Sequence, residues 1–98
     1  MTTRVFIVVT PNVLLLDLAG PAEALRLAQR AGAPLALHLA GPVPEVTTSI
    51  GLPLGALEPL PEALEPGDVV MVVGCEDSAR HYARPEAGRV VSWLRRLP

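Results

Sequence analysis

The 98-residue sequence contains a single cysteine, so no disulfide can form within the chain, and no grouping of Cys and His has the spacing of a zinc site. It has one Phe, one Tyr and one Trp, too few to build the stacking platform that single-stranded nucleic acid requires. Lysine is absent. All eight basic residues are arginine, and against ten acids they leave a formal charge of −2, which does not favour a nucleic-acid partner. There is no glycine-rich phosphate loop. No apolar run approaches the ~20 residues needed to span a bilayer, and the N-terminus has neither the basic n-region nor the cleavage site of a signal peptide. These absences point to a cytoplasmic chain with no cofactor and no membrane partner.

What is present is apolar and unevenly charged. Half of the residues are hydrophobic, enough for a globular domain with a modest core. Residues 1–79 hold three Arg and nine acids, a net −6, whereas residues 80–98 hold five Arg and one Glu, a net +4.

The run Arg4–Thr10, RVFIVVT, is continuously apolar and rich in β-branched side chains, as in a strand buried on both faces. Pro21 suits the first turn of a helix with Gly20 as its N-cap. Ala24, Leu25, Ala28 and Ala31 then share one face, and Gly32 and Pro34 end the helix. Leu35–Ala40, LALHLA, reads as a second strand. Residues 42–66 hold six of the eleven prolines and cannot form a long helix. Within them, Val46–Thr48 and Leu52–Leu54 flank Ser49-Ile50-Gly51 as a short hairpin, and Pro66-Gly67 marks a turn. Asp68–Val73, DVVMVV, is a further strand of the doubly buried kind. Pro85 opens a last helix with Ala87, Val90, Val91, Leu94 and Leu97 on one stripe and Trp93 beside it. The order β-α-β, hairpin, β-α predicts an α/β fold: an open, mostly parallel sheet flanked by helices, with the first strand between the other two long ones. In such sheets ligands sit beyond the carboxyl ends of the strands. Thr10–Asn12, Gly41-Pro42 and Gly74–Ser78 reach that edge.

Several residues there are chemical candidates. Asp17 follows Leu14–Leu16 on the predicted loop between the first strand and the helix, where it either helps to cap the helix or serves a site. Glu23 falls in the predicted first turn, where a negative charge suits the helix dipole. Cys75, in VVGCEDS, is either a small buried hydrophobe or a nucleophile at a strand end, with Asp77 and His81 nearby. Glycines two residues to either side, which a nucleophile elbow requires, are missing from Val73-Gly74-Cys75-Glu76-Asp77. His81 and Tyr82 read as surface residues of a short turn, and His38 lies inside the second strand. The arginines of the last helix read as a solvated face, with Arg95 and Arg96 near its negative end.

Three segments, FIVVTPNVLLLDLAGPAEALRLA, VTTSIGLPL and DVVMVVGCEDSARHYARPEAGRVVSWLRRL, resemble the ThiJ/PfpI superfamily, whose domain is class I glutamine amidotransferase-like. The branch most similar is that of AraC-type transcription regulators, in which this domain precedes a helix-turn-helix; isonitrile hydratases stand beside it. The most specific element is L-D-x-x-G-P, here Leu16, Asp17, Gly20 and Pro21, supported by Ser49, Gly51 and Gly74.

The resemblance implies a flavodoxin-like fold, of which residues 1–98 correspond to the N-terminal part. It makes Asp17 the counterpart of the hydratase acid, and Asp17, Gly20, Pro21, Gly74 and Cys75 the candidate ligand-binding residues. Cys75 falls where the family has the second glycine of a Gly-Gly pair, not where it has its nucleophile, so the resemblance implies no hydrolase, hydratase or glyoxalase activity for these residues alone. It implies a ligand-sensing or regulatory domain with a small-molecule effector, and DNA contact only through a helix-turn-helix outside this chain. Two alternatives stay open: part of an isonitrile hydratase or related cysteine-dependent hydrolase or lyase, and a stand-alone half-domain that oligomerises. Unless the remaining polypeptide is present, a homo-oligomer is expected, joined through the Val69–Val73 edge and the Val90–Leu94 stripe.

Overall fold

A computed structural model describes residues 1–76 and 83–98. The elements run β1 (Thr3–Val8), α1 (Leu15–Arg30), β2 (Leu35–Gly41), β3 (Val46–Thr47), β4 (Pro53–Leu54), β5 (Glu58–Pro59), β6 (Val69–Val72) and α2 (Pro85–Arg96). The main sheet has the order β5-β2-β1-β6, and every pairing in it is parallel. This is the expected open α/β sheet with the first strand between the second and the last. β3 and β4 form the expected antiparallel hairpin, turned at Gly51, whose φ of 86° is natural for glycine. The short strand β5 was not apparent in the sequence, because Glu58-Pro59 carries no strand pattern.

β1 is central, and its alternation sorts the core into two layers. Val5, Ile7 and Val9 pack with Leu18, Ala22 and Leu25 of α1 on one face, and Val8 packs with Val90 and Trp93 of α2 on the other. The helices therefore lie on opposite faces of the sheet, giving three layers. The indole N–H of Trp93 donates to the carbonyl of Pro61 at 2.7 Å and ties α2 to the segment between β5 and β6.

Four expectations are corrected. α1 begins at Leu15, six residues before Pro21, so Gly20 is not its N-cap; Leu14 is, without a side-chain cap bond. Burying Leu18 against Val9 and Val13 draws the helix back over the apolar run that precedes Pro21. Its core-facing stripe is consequently the buried Leu18 with the half-buried Ala22 and Leu25, while Ala24 and Ala31 are exposed. Second, β6 is not buried on both faces: Val69 and Val72 are 42% and 50% exposed, because β6 is an edge strand paired only with β1 among the described residues. Third, Trp93 lies within the buried stripe of α2, with Ala87 and Val90, whereas Leu94 is exposed. The Val90–Leu94 stripe is thus mostly covered by the sheet. Fourth, Glu23 is well inside the helix, where it pairs with Arg26 one turn on through two 3.0 Å hydrogen bonds; that exposed pair, not the helix dipole, is its partner. The end of α1 is as read. Gly32, at φ 103°, closes it, its N–H meeting the carbonyl of Gln29 while that of Ala33 reaches Ala28.

One polar clamp joins the start of β1 to the turn before β6. Arg4 grips Asp68 through both carboxylate oxygens, and its guanidinium lies 5.1 Å over the ring of Phe6. Asp68 also accepts the N–H of Glu65 at 2.7 Å, closing the turn in which Gly67 takes φ 90°. The bonded Arg4 guanidinium holds the Asp68 carboxyl below the usual carboxylate range. A carboxylate whose folded pKa is depressed contributes stability above its unfolded pKa, about 3.9 for Asp, and that contribution disappears as pH falls through the lower folded value. Asp68→Asn should therefore lower stability at pH 7 and reduce the loss of stability between pH 5 and acid. Urea midpoints of both proteins across that interval measure it, and parallel pH curves would contradict the clamp.

Candidate functional site

Parallel pairing brings the ends of β1, β2 and β6 to one edge of the sheet. There the chain leaving β1 makes a tight turn in which the N–H of Val13 donates to the carbonyl of Thr10 at 3.1 Å and Asn12 takes φ 62°. Asparagine tolerates this left-handed conformation better than most residues. The turn gathers its surroundings by backbone bonds. The N–H of Asn12 reaches the carbonyl of Thr47 at 2.8 Å, and the carbonyl of Val13 accepts from Ser49 at 2.9 Å, so the β3–β4 hairpin is docked on it. From the other side, Leu14 donates to the carbonyl of Gly74 at 2.9 Å, and the carbonyl of Asn12 accepts from Glu76 at 3.0 Å. Val13 and Cys75 consequently face each other as an antiparallel bridge.

This wiring places Asp17. It is not on a loop, as the sequence suggested, but in the first turn of α1, where its charge suits the positive end of the helix dipole. Its side chain leans on the end of β6: a methyl group added to Gly74 would stand 2.9 Å from Asp17 Oδ2 and 3.8 Å from the Cδ1 of Leu14. The space beside Gly74 is taken by the end of the Asp17 side chain, which a Cβ there would push aside. Of the five candidates, Asp17, Gly74 and Cys75 come together.

Gly20 and Pro21 sit farther along α1. A methyl group at Gly20 would meet nothing within 4 Å, so neither space nor conformation there calls for glycine. Pro21, inside the helix, cannot donate the N–H that would bond to the Asp17 carbonyl.

Cys75 is half-buried, and burial pushes its thiol pKa up. A thiol so placed stays protonated near neutrality, the reverse of an activated nucleophile. Residue 75 does not take a positive φ, so the Cβ introduced there is accommodated without backbone strain.

The remaining candidates fall elsewhere. His38 stacks on Phe6 with ring centroids 4.8 Å apart, its Nδ1 lying 3.1 Å from Glu58, on the sheet face that carries the Arg4 clamp. Asp77, Ser78, His81 and Tyr82 lie outside the described residues. Among the described residues there is no group of three or more His, Cys, Asp or Glu able to hold a metal ion, and no helix is long and apolar enough to cross a membrane. Sequence reading missed Val13, Thr47 and the backbone of Ser49 as the frame of the site. They act through main-chain groups, and only the turn signal at Pro11-Asn12 hinted at them.

Two measurements probe this arrangement. Gly74→Ala should cost no more than about 0.5–1 kcal/mol, because the atom it crowds is the free end of the Asp17 side chain and can move aside, and Asp17→Ala in the same chain should remove that cost. A double-mutant cycle in urea gives the coupling; additive losses would mean that the two residues do not meet. Alkylation of Cys75 by iodoacetamide should be slower at pH 7 than that of a free cysteine, and should keep rising past the pH at which an ordinary thiol levels off. A plateau below pH 8 would reveal an activated thiolate.

The sequence matches no protein-family model, and no curated protein matches it. Among solved structures it is similar to an AraC family transcriptional regulator from Pseudomonas putida, with a TM-score of 0.70 and 22% identity over 92% of this chain. The chain spans 56% of that regulator's length. A likeness at this level of identity establishes the fold: an α/β domain with a mostly parallel sheet flanked by helices.

Proposed function

We propose that this chain is a ligand-sensing part of a ThiJ/PfpI-like domain in an AraC-type transcription regulator, working in the cytoplasm without catalysis. The observation that carries the reading is the contact of Asp17 with Gly74. It sets the acid of the L-D-x-x-G-P motif at the carboxyl ends of β1 and β6, next to each other in the sheet, where chains of this architecture bind small molecules. The protonated, half-buried thiol of Cys75 supports a binding role over a covalent one. The fold shared with a transcription regulator agrees with this reading.

In this reading a small-molecule effector contacts Asp17, Gly74 and Cys75, Gly20 and Pro21 shape the helix that carries the acid, and DNA is reached only through a separate helix-turn-helix. Without the remaining polypeptide, self-association uses the edge of β6, which among the described residues pairs only with β1 and leaves its outer N–H and C=O groups to a second copy.

The test has two arms. The gene read beyond codon 98 should encode a helix-turn-helix pair. The purified chain should show no turnover of isonitriles or methylglyoxal, with Cys75→Ser as control. Turnover abolished by Cys75→Ser would overturn the reading in favour of a cysteine-dependent enzyme.

A further inference from the structure

A concavity lies on the same sheet edge but over the end of β2, away from Asp17 and Gly74. It is a groove of about 360 Å³ between the segment that follows β2 and the face of α2, with Pro42, Val43, Leu57 and Leu60 as walls and Arg89 and Arg96 on the helix side. None of the residues 10–17 or 74–76 lines it.

We propose that this groove binds a small organic acid: a carboxylate carried on an apolar body about the size of one ring. The inference goes beyond the regulatory reading and stands whether or not that reading holds. Its volume is at the lower end of the ~300–1,000 Å³ range of small-molecule sites. The walls are apolar, and the three prolines that line it, Pro42, Pro44 and Pro59, offer no N–H donors. The floor is rigid, because Gly41 closes against β1 so tightly that an added methyl group would stand 2.7 Å from the carbonyl of Val9.

The charged lining is two arginines against one glutamate. Arg89 and Arg96 lie seven residues apart, on the same side of α2 and about 10 Å apart along its axis. Neither has an acidic partner within ion-pair range among the described residues. Arg89 makes only a long 3.4 Å bond to the carbonyl of Pro42, which holds its guanidinium at the rim and leaves most of its donors for a ligand. The one acid on the lining, Glu58, is engaged with Nδ1 of His38 at 3.1 Å. A guanidinium fork matches a carboxylate in shape and charge.

Benzoate is the probe, with benzamide as the uncharged molecule of the same outline. In the ¹⁵N-labelled 98-residue chain, benzoate should shift the amides of Gly41, Val43, Leu57 and Leu60 to saturation and perturb the emission of Trp93, whose indole is bonded to Pro61 beside the groove. Benzamide should bind about tenfold more weakly, and Arg89→Ala with Arg96→Ala should weaken benzoate about tenfold at an unchanged thermal midpoint. If that double variant unfolds, the lysine pair Arg89→Lys with Arg96→Lys replaces it and should retain most of the affinity. Equal binding of benzoate and benzamide, unaltered affinity after loss of both arginines, absence of saturable shifts at those amides, or shifts centred on Gly74 and Asp17 would each overturn the proposal.

Discussion

Everything in this structure hangs on β1 having no free side. It is paired on both edges, by β2 and β6, and covered on both faces, so that Ile7, Val8 and Val9 are at most 1% exposed. A backbone so enclosed must satisfy its N–H and C=O groups within the sheet, and its side chains must meet apolar atoms above and below. Each of these large side chains contributes roughly 1.5–3 kcal/mol by leaving water. The helices are consequences: α1 exists to cover the Val5, Ile7 and Val9 face, and α2 to cover the Val8 face. Once β1 is fixed, its exit fixes the site, because the turn at Thr10–Val13 is the first backbone released from the sheet.

That turn carries the packing constraint outward to the candidate site. It bonds through its main chain to the β3–β4 hairpin on one side and to the end of β6 on the other. A change of backbone conformation at Asn12 therefore disturbs both neighbours at once. At Gly74 the absence of a side chain admits the carboxylate of Asp17.

The architecture was legible in the sequence because it rests on apolar periodicity and on turn chemistry. RVFIVVT, LALHLA and DVVMVV gave the strands, Gly32 gave the end of α1, and Gly51 and Pro66-Gly67 gave turns that the structure contains. What escaped reading depends on tertiary context. The helix begins at Leu15 because Leu18 has a core to enter, which no local signal at Leu14–Leu16 announces. β6 has the composition of a doubly buried strand but the position of an edge, and composition does not encode strand order. The approach of Asp17 to Gly74 joins residues far apart in the chain, so the motif marked the acid without showing what it would touch. Trp93 was set beside the stripe and proved to be in it, because the bond to Pro61 draws the indole inward.

The early start of α1 also gives Pro21 a meaning it would lack at a first turn. At N1 a proline costs nothing, since that N–H has no helical partner. Inside the helix it removes one bond, at a cost of roughly 3 kcal/mol, and the carbonyl deprived is that of Asp17. The residue whose carboxylate faces Gly74 is therefore also the one whose backbone oxygen the helix leaves without its ladder donor. Gly20, which no contact requires, adds a further local cost of about 1 kcal/mol relative to alanine. Two unfavourable residues in succession are tolerated on a helix held in place by the packing of Leu18, Ala22 and Leu25. The L-D-x-x-G-P segment reads physically as a helix stabilised from the core, with one ladder bond fewer at the Asp17 carbonyl.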